Sequence, residues 1–196
     1  MAIATHKLHC WTGVCQIRTD YLAYFHWVEF VATIKNKYKQ RSHFGIGIIH
    51  GTNASNVGTL WRSAYVLGAS YIFTVHRKYK RVTSDVSQAW SKIPLFHYSC
   101  FEDLKEHIPY NAKLVGIEMV ENAVSLPSYE HPQHAVYLLG NEQSGLGPNV
   151  LNLCHDVIQI PGNYSLNVAV AGSVIMYDRV AKIPSFLPDE KFLSSP

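Results

Sequence analysis

Ala135-Val-Tyr-Leu-Leu139, followed at once by Gly140-Asn-Glu-Gln-Ser-Gly-Leu146, decides the fold. Five residues with no charge among them make a strand covered on both faces. The glycine-bounded turn after it carries one acid, Glu142, and ends the strand. About twenty residues later Ser165-Leu-Asn-Val168 opens a second apolar run, rich in Ala, Gly and Ser. That run is too apolar all round to face water. A polar turn at a strand end, paired with a polar start to a buried helix, implies a ligand site.

Outward from this core, short β-rich runs alternate with helical patterns, which predicts an α/β fold with a mainly parallel sheet flanked by helices. Strands are expected over residues 46–50, 71–75, 95–98, 114–119, 135–139 and 157–160. A helix over 56–67 ends at Gly68. Its Val57, Leu60, Ala64 and Leu67 recur at helical spacing and face the sheet, which leaves Arg62 pointing elsewhere. Ser99-x-x-Glu102 reads as a capping box for a helix running to about residue 108. Gly147-Pro148 opens a short helix. The run 167–180 is apolar or small on every side until Asp178, and its Ala169, Ala171, Gly172 and Ser173 let another backbone approach closely.

With 196 residues and 47% hydrophobic content, the chain buries a sizeable core. Its net charge of +3 excludes a general polycation. The cations are nonetheless clustered, in Lys35, Lys37, Lys39 and Arg41, and again in Arg77, Lys78, Lys80 and Arg81 around Tyr79. The second cluster follows a strand's C-terminal end and is the expected RNA contact. Four cysteines in a chain of this length indicate reduced thiols and a cytoplasmic protein. His6, His9, Cys10 and Cys15 have loose spacing and no second pair, so no metal is expected. Residues 21–34 are too short and too polar for a membrane span, and no secretory signal is read.

Three segments, Asn53-x-x-Asn56-Val-Gly58-x-x-x-Arg62, the Gly140 to Leu146 turn and Ser165-Leu-Asn-Val168, resemble in order and spacing the motifs of the SpoU/TrmH family. These are RNA ribose 2′-O-methyltransferases of the SPOUT superfamily. The resemblance implies a methyltransferase domain over residues 44–183; residues 1–43, which lack the strand–helix rhythm, are expected to be an N-terminal, partly helical extension, and 184–196, with Pro, Ser and charge, a tail. The resemblance also implies a C-terminal trefoil knot and a homodimer with the 167–180 helix at its interface.

S-adenosylmethionine is the cofactor the resemblance implies, lined by Leu139, Gly140, Ile160, Ser165 and Leu166, with Ile117 or Glu118 at the adenosine end. Arg62 is then the catalytic arginine. A guanidinium is a very poor base in water, so holding the phosphate and stabilising a developing alkoxide is its expected role. Asn53, Asn56, Glu142, Ser165 and Asn167 complete the expected catalytic group. Asn56 and Ser165 are also plausible helix caps. His43, His50 and His76 fall near strand ends and are given no role. The chain departs from the family pattern in having only Gly162, Asn163 and Tyr164 between Pro161 and Ser165. The expected substrate is tRNA or rRNA. The alternatives are a non-catalytic RNA-binding protein, which the short loop favours, and a base methyltransferase of the same superfamily.

Overall fold

The computed structural model describes residues 42–51, 53–79, 89–141 and 143–183. Glu142, Lys80, Arg81, the first basic cluster, the His6 to Cys15 stretch, most of the N-terminal extension and the tail lie outside the described residues. The elements follow in the order β1 (His43–Ile49), α1 (Ala54–Val66), β2 (Tyr71–Val75), β3 (Leu95–Tyr98), α2 (Phe101–Glu106), β4 (Lys113–Ile117), β5 (Val124–Ser125), β6 (His134–Leu139), α3 (Pro148–Leu151), β7 (Asp156–Gln159) and α4 (Val168–Lys182).

All seven strands pair in parallel, in the order β3-β2-β1-β6-β4-β7-β5. Because successive side chains of a strand point to opposite faces, one strand feeds two cores. Ala135, Tyr137 and Leu139 of β6 pack with α1 and α4, whereas Val136 and Leu138 pack with α2 and residues of α3. The unbroken apolar run of β6 is the result. The two-residue β5 has too little sequence to carry an alternation, and the sequence reading does not find it.

Helix α1 starts earlier than predicted. Asn53 is its N-cap, with the side-chain oxygen accepting from Ser55 N at 2.9 Å and from Ser55 Oγ at 2.7 Å. Asn56 is therefore not the N-cap; it is buried in the first turn. The start of α2 is also shifted by one residue from the expected box. Cys100 is the N-cap, and Asp103 rather than Glu102 reaches back to Ser99 N, at 2.7 Å. Asp103 follows Glu102 directly, so the pattern offered two carboxylates and only backbone geometry chose between them.

The glycine in α4 has a clear reason. A Cβ on Gly172 would come within 2.5 Å of Leu60 Cδ1, so a larger residue here would displace the Leu60 side chain of α1. Ser173 Oγ then lies 2.8 Å from Ser63 Oγ and 2.7 Å from Ala169 O, which pins the two helices together. The expected enclosure of α4 is half met within the chain. Ala169, Ala171, Ile175 and Met176 are buried, but Val170 and Tyr177 are exposed, as is Leu166 just before the helix.

The start of the sheet is tied down by one cation. Arg179, near the end of α4, is 1% exposed. Its guanidinium donates to Pro132 O at 2.7 Å, Gln133 O at 2.9 Å, Tyr137 OH at 3.0 Å and Ser42 Oγ at 2.5 Å. It also sits 4.9 Å from the Phe44 ring centroid. Tyr137 OH, accepting from Arg179, donates onward to His131 Nδ1, and His131 Nε2–H then faces Asp178 at 2.9 Å. Burial above all pushes Tyr137 up to about 12, so its hydroxyl keeps the proton that this chain requires.

Candidate active site

The C-terminal ends of β4, β6 and β7 and the approach to α4 enclose one cavity of about 430 Å³. Open parallel sheets place ligand sites at this edge, near a change in strand order. Every residue expected to hold the cofactor lines it: Ile117, Glu118, Leu139, Gly140, Ile160, Ser165 and Leu166. Asn167 lines it as well. The short loop does not open the wall, since Pro161, Gly162 and Tyr164 form part of the lining.

The Gly140 turn is organised from within by Asn141, which the sequence reading passed over. Its side-chain oxygen accepts from Gln143 N at 2.9 Å, Ser144 N at 2.7 Å and Ser144 Oγ at 3.0 Å. Gly145 N closes the turn onto Asn141 O at 3.1 Å. An Asn directly after a strand-ending glycine was the available signal, because Asn side chains bond their own backbone two or three residues on.

The glycines serve this closure as well as any ligand. A Cβ on Gly140 would fall 2.3 Å from the carbonyl carbon of Gly145, and Gly145 itself has φ +58. Glu118, expected at the adenosine end, acts first as a clamp. One carboxylate oxygen accepts from Leu146 N at 2.6 Å and the other from Met119 N at 3.1 Å. It thereby ties the end of β4 to the turn after β6.

Asn167 joins two of the three motifs. As the N-cap of α4 its oxygen accepts from Ala169 N at 3.0 Å and Val170 N at 3.3 Å, while its Nδ2 donates to Asn56 Oδ1 at 3.1 Å. This makes Asn167, and not Ser165, the cap. Ser165 is exposed on the cavity wall.

Arg62 is not among the residues lining the cavity; it is exposed on α1, six residues beyond Asn56. At 1.5 Å per residue that is roughly 9 Å along the axis. Asn53, committed to its cap, is also outside the lining. Within one chain the structure therefore brings together the second and third motifs and Asn56, but not the arginine. Arg77 and Lys78 are exposed at the end of β2, on a neighbouring part of the same sheet edge.

The residues present fit a sulfonium cofactor. The cavity is within the range of small-molecule sites, with apolar Ile117, Leu139, Ile160 and Leu166 for a ring and backbone-rich turns for polar groups.

A wholly parallel sheet with helices on both faces and a cavity built from three strand ends defines an α/β protein with a pocket at the C-terminal edge of its sheet. Its family follows from its sequence: residues 45–177 match the SpoU rRNA Methylase family, and the chain belongs to that family. Among its relatives, the tRNA (guanosine(18)-2′-O)-methyltransferase TARBP1 of Mus musculus is 23% identical over 133 residues, 63% of this chain and 8% of that protein. The mitochondrial rRNA methyltransferase 1 of Schizosaccharomyces pombe is 27% identical over 147 residues, 66% of this chain and 48% of that one. The crystal structure of the SpoU methyltransferase AviRb from Streptomyces viridochromogenes, in complex with the cofactor AdoMet, superposes with a TM-score of 0.62 at 23% identity, covering 75% of this chain and 60% of that one. This chain thus spans about half the length, or less, of these two curated relatives. Among the described residues no helix is long and apolar enough to cross a membrane.

Proposed function

We propose that this chain is an S-adenosylmethionine-dependent RNA methyltransferase acting on a ribose 2′-hydroxyl of tRNA or rRNA. The observation that carries it is the convergence of three strand ends and Asn167 on one cavity, lined by every residue expected to hold the donor. Relatives named as tRNA and rRNA methyltransferases support the substrate class. The cofactor would supply the methyl group as an electrophile. The chain's own part is positioning, which accounts for much of the rate in such transfers.

In this reading Glu118 and Asn141 hold the turn in shape, Ser165 orients the acceptor from the cavity wall, and Asn56 and Asn167 fix the start of α4. Glu142 is assigned to the same turn. Arg77, Lys78, Lys80 and Arg81 hold RNA phosphates.

We further infer a homodimer, with the trefoil knot in the C-terminal half and cytoplasmic residence. Exposed Val170 and Tyr177 on α4 support the dimer. Because α1 packs beside α4, dimerisation there would bring Arg62 to a shared face. Its guanidinium would then stabilise the developing alkoxide across the contact.

The test pairs calorimetry with methyl transfer. The protein should bind S-adenosylmethionine, and radiolabel should enter bulk RNA, with nucleoside mass spectrometry locating it on ribose. Arg62→Ala should keep donor binding and lose transfer by about a hundredfold or more. A methyl found on a base, or full activity in that variant, overturns the corresponding part.

A further inference from the structure

A second cavity, of about 510 Å³, opens at the C-terminal ends of β1 and β2 and has no part in the donor site. Ala54 and Val57 give it an apolar surface, His76 and Tyr79 contribute rings, and Arg77 and Lys78 contribute charge. The ring of His76 is held in an unusual way. It stacks on His50, with centroids 4.0 Å apart and planes 8° from parallel.

Both histidines have positive φ, 54 for His50 and 68 for His76. Residues other than glycine seldom adopt this backbone, and it persists only where the surroundings enforce it. Here they do. His50 N donates to Val75 O at 3.1 Å, His76 N to Tyr98 O at 3.0 Å and Arg77 N to Val75 O at 3.0 Å. Two neighbouring strand ends thus each turn left-handed, and the outcome is a pair of parallel imidazoles.

The backbone of His50 reaches the turn beside the first cavity. Asn141 Nδ2, on the turn that lines the donor site, reaches His50 O at 3.5 Å. Burial, His76 and Arg77 hold the His50 imidazole below its ordinary value, which favours a stack free of like-charge repulsion. His76 lines the second cavity and His50 does not, so His50 backs the ring that a ligand would meet.

We propose that this cavity is a nucleotide subsite, taking the base of a residue next to the methylated ribose against the His76 ring while Arg77 and Lys78 hold its phosphate. A flat ring, an apolar surface and two cations match a base joined to a phosphate. A bare anion would leave the apolar surface unused, and an aliphatic ligand would leave the cations unused. The proposal rests on the RNA reading above and adds to it a base-binding role for a histidine that the sequence reading left without one.

Fluorescence anisotropy with the full chain tests it, using a labelled single-stranded RNA of mixed sequence and an abasic oligonucleotide of equal phosphate count. The protein should prefer the intact RNA by roughly five- to a hundredfold, the range of one base stacked on an aromatic side chain. His76→Asn keeps a residue that tolerates the left-handed backbone and removes the ring; it should abolish the preference, and His76→Phe should restore it. Both variants should bind S-adenosylmethionine as the parent does.

No preference in the parent, or an undiminished one in His76→Asn, overturns the subsite and leaves RNA binding standing. Failure of the parent to bind either oligonucleotide overturns the RNA reading and the subsite with it. Adenosine monophosphate binding as tightly as the RNA would assign the cavity to a free nucleotide and overturn the RNA source.

Discussion

Helix α4 runs between two ends of the sheet that are held by different balances of short-range and long-range bonds. At its start, the bonds around the Gly140 turn span two to four residues, from Asn141 to Gln143, Ser144 and Gly145. At its end, Arg179 binds Ser42, Pro132, Gln133 and Tyr137, partners far away in the chain. Short-range bonds shape the turn from within, and two longer ties, from Leu146 N to Glu118 and from Asn141 Nδ2 to His50 O, join it to the ends of β4 and β1. Long-range bonds from one buried cation fix strand starts to a helix. The binding residues sit on loops, and the rigidity that positions them is supplied from the other end of the same layers.

The strongest way to break this contrast is Arg179→Ala. Removing a buried cation leaves four neutral acceptors without their donor, at a cost of about 1–3 kcal/mol for each left unsatisfied, read as a lower urea midpoint. Donor affinity of the fraction that remains folded should be unchanged. A selective loss of affinity with normal stability would mean that the two ends are not separable.

Glu118→Gln sharpens the contrast from the site end. An amide offers one acceptor oxygen where the carboxylate offered two, so Leu146 N or Met119 N loses its partner. A cost of roughly 1–3 kcal/mol is expected to fall on the shape of the turn. Calorimetry should then record about tenfold weaker donor binding with a nearly unchanged melting temperature. Equal effects on both would place Glu118 among the anchors.

The smallest expected effect is that of pH. Burial holds His131 below its ordinary 6.5, with Arg179 and Lys182 acting in the same direction and Asp178 opposing them. The unfolded chain therefore takes up a proton near 6.5 that the folded chain resists. Stability is full above that pH and falls as pH drops through the window down to the folded value. His43 and His50 are shifted the same way. His131→Gln should flatten the acid side of a melting-temperature profile in part and leave a residual slope. A profile rising toward acid would reverse the assignment.

Much of the architecture was legible because it depends on patterns only a few residues long. The run from Ala135 to Leu139 carries its own burial, and Val57, Leu60 and Ala64 carry theirs. The donor cavity was legible too, through turn chemistry at Gly140 and helix-start chemistry at Ser165. Caps were misread by one to three residues, at Asn53, Cys100 and Asn167, because neighbouring polar residues compete and the backbone path selects one. Asn141 and the imidazole stack were missed for different reasons. The first hid inside a turn already explained by glycine, and the second joins residues 50 and 76, whose rings meet only because β1 and β2 are neighbours.

What the sequence determined by itself was the alternation of strand and helix, the two glycine-bearing or polar breaks that mark the site, and the family. The first two are local, and propensity and periodicity write them directly into the chain; the family was legible through the resemblance of three short motifs in order and spacing. Only the tertiary structure decided that Glu118 clamps the turn, that Asn167 meets Asn56, that Arg62 stands outside the cavity of its own chain, and that Arg179 gathers the strand starts. Each depends on which segments pack side by side, and that is set by the whole core together.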